Sequence, residues 1–240
     1  MSEDNLDDSL RDRLVAAAKG VVGAVPMVGG ALGEIVGSIV PGQRMDRVVA
    51  YLRGIYTRVE SLDAQTKEEL KTHAEKIDLI EEGGYQAARA TSPERINMIV
   101  EAVSKGLDVD ESEIVRRKRL LILLGELDED EVAILNAYGQ SYGRSRADSG
   151  DPFENIYRPA PLRLGGGQEI IDQNQLYLSG QDHLMRLKLL KKNYGSIKRG
   201  EQPVFDPKLG DFTHRIEVSP LGRLLLKEIG MPTPFDEQEG

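Results

Sequence analysis

The sequence predicts a mainly α protein: an N-terminal helical bundle that includes a glycine-rich helical segment, followed by a C-terminal module with one small β-hairpin. Three observations predict this. Residues Leu14 to Val40, LVAAAKGVVGAVPMVGGALGEIVGSIV, carry only two charges, Lys19 and Glu34. Beyond them, apolar residues recur at intervals of three and four over most of the chain, which is the helical period. Alternation, the mark of a strand, is clear at Arg215–Val218. With 240 residues, 40% of them hydrophobic, the chain can bury a real core.

Asp7 to Ala24 reads as a first helix, its early acidic residues favoured by the helix dipole. Pro26 breaks it, because proline disfavours helical geometry in the residue before it. A second helix is expected from about Val28 to Ile39, ended by Pro41-Gly42. Gly29, Gly33 and Gly37 then share one face, where missing side chains let another backbone come close. Each mid-helix glycine costs roughly 1 kcal/mol relative to alanine, so three in register point to close packing, against a partner helix or in a membrane. Spanning is disfavoured. The longest uncharged run, Gly20 to Gly33, is 14 residues, whereas a spanning helix needs about 20.

From Asp46 the stripe Val48, Leu52, Ile55, Val59 and Leu62 predicts a helix packed in a bundle. Asp63 or Thr66 should cap a helix over about 65–82, stopped by Gly83-Gly84. Ser92-Pro93-Glu94 starts the next, with Ile96, Ile99, Val100 and Val103 inside and Gly106 at its end. Asp110 or Ser112 opens another, through Ile114, Val115 and Leu120 to Leu124. The run Arg116-Arg117-Lys118-Arg119 spreads around a helical turn, which favours a solvated face with ion pairs over a nucleic-acid patch. Leu127-Asp128-Glu129-Asp130-Glu131 begins a further helix, its acids complementing the dipole. Residues 140–167 lose periodicity and read as an inserted loop.

In the C-terminal part, Ser179 is expected to cap a helix whose apolar face holds Leu184, Leu187 and Leu190. A hairpin follows near residues 194–218. Ser219-Pro220 then starts a last helix, LGRLLLKEIG. One core is expected to unite Leu187, Leu190, Leu221, Leu224 and Leu225. Helix, hairpin and helix in this order resemble a winged-helix module, with Glu129–Tyr138 as its first helix. In the DNA-binding version of that module, the helix over about 180–190 would face bases with Gln181, His183, Arg186 and Lys188. Lys191, Lys192, Lys198 and Arg199 would flank the wing and meet phosphates. The expected organisation is 1–62 for the glycine-rich and first amphipathic helices, 63–126 for the bundle, 127–232 for the winged-helix-like module and 233–240 for an acidic tail.

Residues 92–230 are similar to bacterial Abi-alpha-like proteins in the order of "SPERINMIVEAVSKGL", "LLILLGELDEDEVAILNAYG" and "HLMRLKLLKK" before "IEVSPLGRLLLKEIG". The resemblance implies an abortive-infection or phage-defence role and carries no catalytic residues with it.

The net charge of -9 is uneven: residues 180–230 hold 10 basic against 6 acidic residues, while 1–179 hold 21 against 31. A basic module on an acidic body is a candidate footprint for nucleic acid. The absence of cysteine excludes disulfides, thiolate catalysis and cysteine zinc sites. His73, His183 and His214 show no metal-ligand spacing, and neither a metalloprotease helix motif nor a serine elbow is present. The expectation is therefore a non-enzymatic protein without cofactor, metal or small-molecule substrate. It would act through a protein partner, self-association or a membrane by its glycine-rich helices. The alternative is a soluble winged-helix regulator binding duplex DNA. The acidic N-terminus lacks the basic start of a secretory signal, so the expected location is cytoplasmic, with the inner-membrane surface as a peripheral site.

Overall fold

A computed structural model of the chain describes residues 42–64, 66, 70, 73–142, 150–154, 156, 167–207 and 210–237. Gly29, Gly33, Gly37 and both helices expected before residue 41 lie outside the described residues, as does most of the 140–167 loop. The chain divides into two compact units, Met1–Glu126 with Glu228–Gly230, and Leu127–Lys227 with Met231–Gly240. Both are built mainly of helices.

The first unit is a bundle of α1 (Gly42–Glu60), α2 (Ala74–Arg89), α3 (Pro93–Leu107) and α4 (Glu111–Gly125). Helix α1 packs on α2 and α3, and α2 and α3 both pack on α4. The predicted stripe on α1 faces inward: Val48, Leu52, Ile55 and Val59 are buried, and Leu62 is half-buried. Burying one such side chain stabilises by ~1.5–3 kcal/mol. Four of them outweigh the ~1 kcal/mol cost of Gly54 within the same helix. Tyr51 is fully buried, and its hydroxyl donates to the Ile80 carbonyl at 2.8 Å. The helix starts follow local cap chemistry. Ser92 accepts from the Arg95 N–H with Pro93 in the first turn, and Asp110 accepts from the Glu113 N–H. Ile96, Ile99, Val100 and Val103 are all buried.

Two glycine stops are corrected. Gly83-Gly84 does not end a helix over 65–82; α2 starts at Ala74 and runs through both glycines to Arg89. Nor does Gly106 end α3, which continues to Leu107. These glycines admit side chains from neighbouring helices. A Cβ on Gly83 would lie 2.4 Å from the Tyr51 hydroxyl and 2.7 Å from a Val103 methyl, and one on Gly106 would lie 2.3 Å from a Leu79 methyl.

The basic run on α4 disperses as expected. Arg116 pairs with Glu113, Lys118 with Asp78, and Arg117 with the buried Glu228. Burial pushes the Glu228 carboxyl up, against the pull of Arg117 and Lys105. Val115, expected to lie along the apolar path of this helix, is instead exposed.

Replacing Gly83 with Ala sets a helix-propensity gain of about 1 kcal/mol against a clash with Tyr51 and Val103. Overpacking costs ~1–3 kcal/mol, and neither neighbour is a flexible chain end, so we expect net destabilisation in urea unfolding. A raised urea midpoint would contradict this packing.

The second unit begins with α5 (Glu129–Ser141), capped reciprocally: Asp128 accepts from the Glu131 N–H, and Glu131 accepts from the Asp128 N–H. Then come α6 (Gln168–Arg186), β1 (Leu190–Asn193), β2 (Phe205–Asp206), β3 (Asp211–Phe212), β4 (Arg215–Val218), α7 (Pro220–Glu228) and the short α8 (Pro234–Glu237). Strands β1 and β4 pair antiparallel, Leu190 opposite Val218 and Asn193 opposite Arg215. Farther out, β2 pairs with β3, Phe205 opposite Phe212. The expected hairpin thus exists and is rooted four residues earlier than predicted. Val132, Leu135, Leu184, Leu189, Leu190, Val218, Leu225 and Leu226 are buried in this unit. In the inserted loop, Phe153 is buried and meets the Tyr138 ring edge-on at 5.1 Å. Thr233, at the start of the acidic tail, is buried and bonded to Asp236.

Three expectations fail here. Ser179 is not a cap but lies inside α6, which starts at Gln168. Leu190 is not on that helix, because the chain turns at Leu187-Lys188 and Leu190 opens β1. Finally, Leu224 is 47% exposed and outside the core, with Leu187 and Leu221 only half-buried. The inward face of α7 is Leu225 and Leu226, one residue out of phase with the expected set. A Leu226→Ala change should therefore cost ~2–5 kcal/mol in chemical denaturation, as buried leucine truncations do. Leu224→Ala should stay within about 0.5 kcal/mol, as surface changes do. Equal losses would show the phase of α7 to be wrong.

Candidate nucleic-acid interface

Between Arg186 and Arg199 the sequence RLKLLKKNYGSIKR holds six cations and no acidic residue. The fold places this run at the end of α6 and along the hairpin. Residues 191–200 are exposed throughout. What points them outward is the root of the hairpin. After α6, Lys188 takes a left-handed conformation (φ 64°), unusual for a residue with a side chain. This turns the chain so that Leu189 and Leu190 enter the core. The Ser219 N–H donates to the Leu189 carbonyl at 2.9 Å, and its hydroxyl donates to the Lys188 carbonyl at 2.6 Å. The same hydroxyl accepts from the Gly222 N–H at 2.9 Å, capping α7. Gly222 is required here, since a Cβ on it would lie 2.3 Å from the Leu189 carbonyl oxygen. The end of α6, both ends of the hairpin and the start of α7 are thus tied at one point.

The predicted contact residues then separate. Arg186, Lys188, Lys191, Lys198 and Arg199 are exposed, on the α6 terminus and the hairpin. Lys192 is also on the hairpin, but its ammonium donates to Asp211 at 2.5 Å. That hydrogen bond holds Lys192 above its ordinary range and Asp211 below the usual carboxylate range. The pair is locally neutral, so Lys192 offers less charge to an anion than its neighbours do. Gln181 is a correction. It is buried, and its side chain donates to the Tyr138 hydroxyl at 2.8 Å, so it cannot reach a base edge. His183 is also engaged, its Nδ1 lying 2.6 Å from Glu131 Oε1.

Several exposed groups beside the cations escaped the sequence reading. Arg215 stands opposite Asn193, on the strand recognised only by its alternation. Phe205 and Phe212 meet edge-to-face at 5.6 Å yet remain exposed, as do Tyr194 and Ile197. A periodicity argument assigns such residues to a core by default, so nothing in the sequence marked them as surface.

Along α6 the outward face also carries Asp172 and Asp182, both exposed. Carboxylates there suit a phosphate backbone poorly, so the favourable field for an anion belongs to the run from Arg186 to Arg199, the rest of the hairpin carrying Glu201, Asp206, Asp211 and Glu217. Among the described residues no cluster of three or more histidine or carboxylate side chains is arranged to hold a metal ion. No helix among them is long and apolar enough to cross a membrane. No known protein family, curated protein or solved structure matches this chain.

Proposed function

We propose that the chain is a non-enzymatic binding protein whose C-terminal unit holds the phosphodiester backbone of duplex DNA through its hairpin; the exposure of Leu224 counts against the winged-helix assignment of that unit. The observation that carries this is the acid-free run of six cations from Arg186, at the end of α6, to Arg199 on an exposed hairpin with a firmly tied root. Phosphate contacts position a protein on DNA without reading sequence. With Gln181 buried and Asp172 and Asp182 on the outward face of α6, binding would be backbone-dominated and tolerant of sequence.

Replacing Lys191, Lys198 and Arg199 with Gln should weaken binding to unrelated duplexes equally. It should also flatten the plot of log affinity against log salt by about 0.9 for each phosphate that is no longer neutralised. Lys192→Gln should change the slope least, because Asp211 already neutralises that ammonium. Fluorescence anisotropy at several salt concentrations reads both effects. No binding by the unaltered chain at low salt would overturn the proposal.

The resemblance of residues 92–230 to abortive-infection proteins supports placing this module in a defence-type protein. In that setting Gly29, Gly33 and Gly37 would form the face through which the N-terminal segment acts on a partner or a membrane. Gly33→Leu places a side chain on that face and should abolish leakage from anionic liposomes at matched protein concentration. Absence of leakage with either chain, at rest and under activating conditions, would remove the membrane role and leave the DNA proposal standing.

A further inference from the structure

The acid-free run from Arg186 to Arg199 contains one serine, Ser196, and no threonine. Cations stand on both sides of it, Lys191 and Lys192 before and Lys198 and Arg199 after. The nearest acidic residues in sequence are Asp182 and Glu201. The fold displays this serine. It is exposed, as are all residues from 191 to 200, and it lies past the end of β1, outside the strand pairing. A turn stands on each side. Asn193 accepts from the Gly195 N–H at 2.9 Å, with Gly195 at φ 75°. The Lys198 carbonyl accepts from the Glu201 N–H at 3.0 Å, with Gly200 at φ 92°. Glycine takes such backbone angles without strain. No ladder hydrogen bond has to break for Ser196 to enter another protein's cleft.

Its hydroxyl is also uncommitted. Ser61, Ser104 and Ser141 donate to carbonyls three or four residues earlier, and Ser219 donates to the Lys188 carbonyl. Ser196 makes no such bond among the described residues. Two other exposed hydroxyls are placed differently. Ser179 is held inside α6 near Asp182, and Thr213 stands beside Asp211 with its N–H bonded to the Val204 carbonyl at 2.7 Å. We infer that Ser196 is a phosphorylation site for a protein kinase that selects basic substrates, and that its phosphate switches off the polyanion surface. Kinases choose substrates partly by charge pattern, and a carboxylate-lined cleft is attracted by both flanks of Ser196. In the transfer, Ser196 Oγ attacks the γ-phosphorus of ATP. The Oγ–P bond forms, the bond from that phosphorus to the ADP oxygen breaks, and the hydroxyl proton passes to the kinase's catalytic aspartate. The product carries about -1.5 to -2 charges in the middle of the cationic run. Its oxygens can also take the N–H donors of Lys198 and Arg199, which would otherwise meet DNA. The switch rests on the DNA reading, whereas the modification site rests only on this loop.

The test treats the full chain with ATP, magnesium and a basic-directed protein kinase, and locates phosphate by mass spectrometry of its peptides. Phosphate is expected on Ser196, and none there with an acid-directed kinase. Replacing Lys191, Lys198 and Arg199 with Gln should remove most of the incorporation. Anisotropy with a DNA duplex at several salt concentrations then compares the modified and unmodified chains. Phosphorylation should weaken binding and flatten the log affinity against log salt plot by about 1.8, the value of two phosphate contacts. A phosphatase should restore both. Ser196→Ala should bind as the unmodified chain does and should not respond to the kinase. Absence of phosphate from Ser196, incorporation indifferent to the loss of the three cations, or an unchanged salt slope after modification would each overturn the inference and leave the DNA proposal standing. An unmodified chain that fails to bind DNA at low salt would overturn the DNA proposal, and the switch with it.

Discussion

The second unit depends on one small knot of hydrogen bonds around Ser219. Its hydroxyl donates to the Lys188 carbonyl and accepts from the Gly222 N–H, while its own N–H donates to Leu189. An elementary constraint explains why the knot is there. Buried backbone groups must find partners, and the end of α6 leaves carbonyls that its own helix cannot satisfy. Ser219 satisfies the Lys188 carbonyl and caps α7 with the same oxygen. The cost is a left-handed Lys188 and a glycine at 222. In return, Leu189 and Leu190 are buried, and the strands paired at Leu190 and Val218 leave the core at a fixed point. Residues 191–200 beyond that point are exposed, so the position of their charges is inherited from this junction.

The bundle of the first unit rests on a different constraint, the close approach of helices at buried glycines. Gly54 admits Val100, Gly83 admits Tyr51 and Val103, and Gly106 admits Leu79. Each such glycine costs helix propensity, and each is offset by the large side chain that fills the space. The buried Tyr51 illustrates this trade. Its ring needs the space over Gly83, and its hydroxyl needs the Ile80 carbonyl, since an unbonded hydroxyl in an apolar site is costly.

What could be read from the residues follows from how local the physics is. Ser92, and Asp110 as one of two candidates with Ser112, were legible as caps because a cap is decided within four residues, whereas Asp128 was read only as one of the acids complementing its helix dipole. The α1 stripe was legible because its period is an internal property of the helix. Gly83-Gly84 and Gly106 were misread because a glycine that ends a helix and one that admits a neighbour look alike. What separates them is Tyr51, Val103 or Leu79, which lie elsewhere in the sequence. Gln181 failed as a surface residue for the same reason, its fate being set by Tyr138 on another helix. Leu224 failed by one residue of phase in a run of three leucines, where the apolar pattern is too uniform to choose a face. For the candidate interface, the cations of Arg186 to Arg199 were legible from composition. Neutralisation of Lys192 by Asp211 and exposure of the neighbouring aromatics were not, because both depend on strand pairing.

The proposed function rests on one claim: that the hairpin would be the surface through which the second unit meets a polyanion. Amide hydrogen exchange of the full chain, with and without a short DNA duplex at low salt, tests it most directly. The account predicts new protection confined to the end of α6 and residues 190–218, reversed by added salt. Protection elsewhere, with the hairpin amides unchanged, would contradict it.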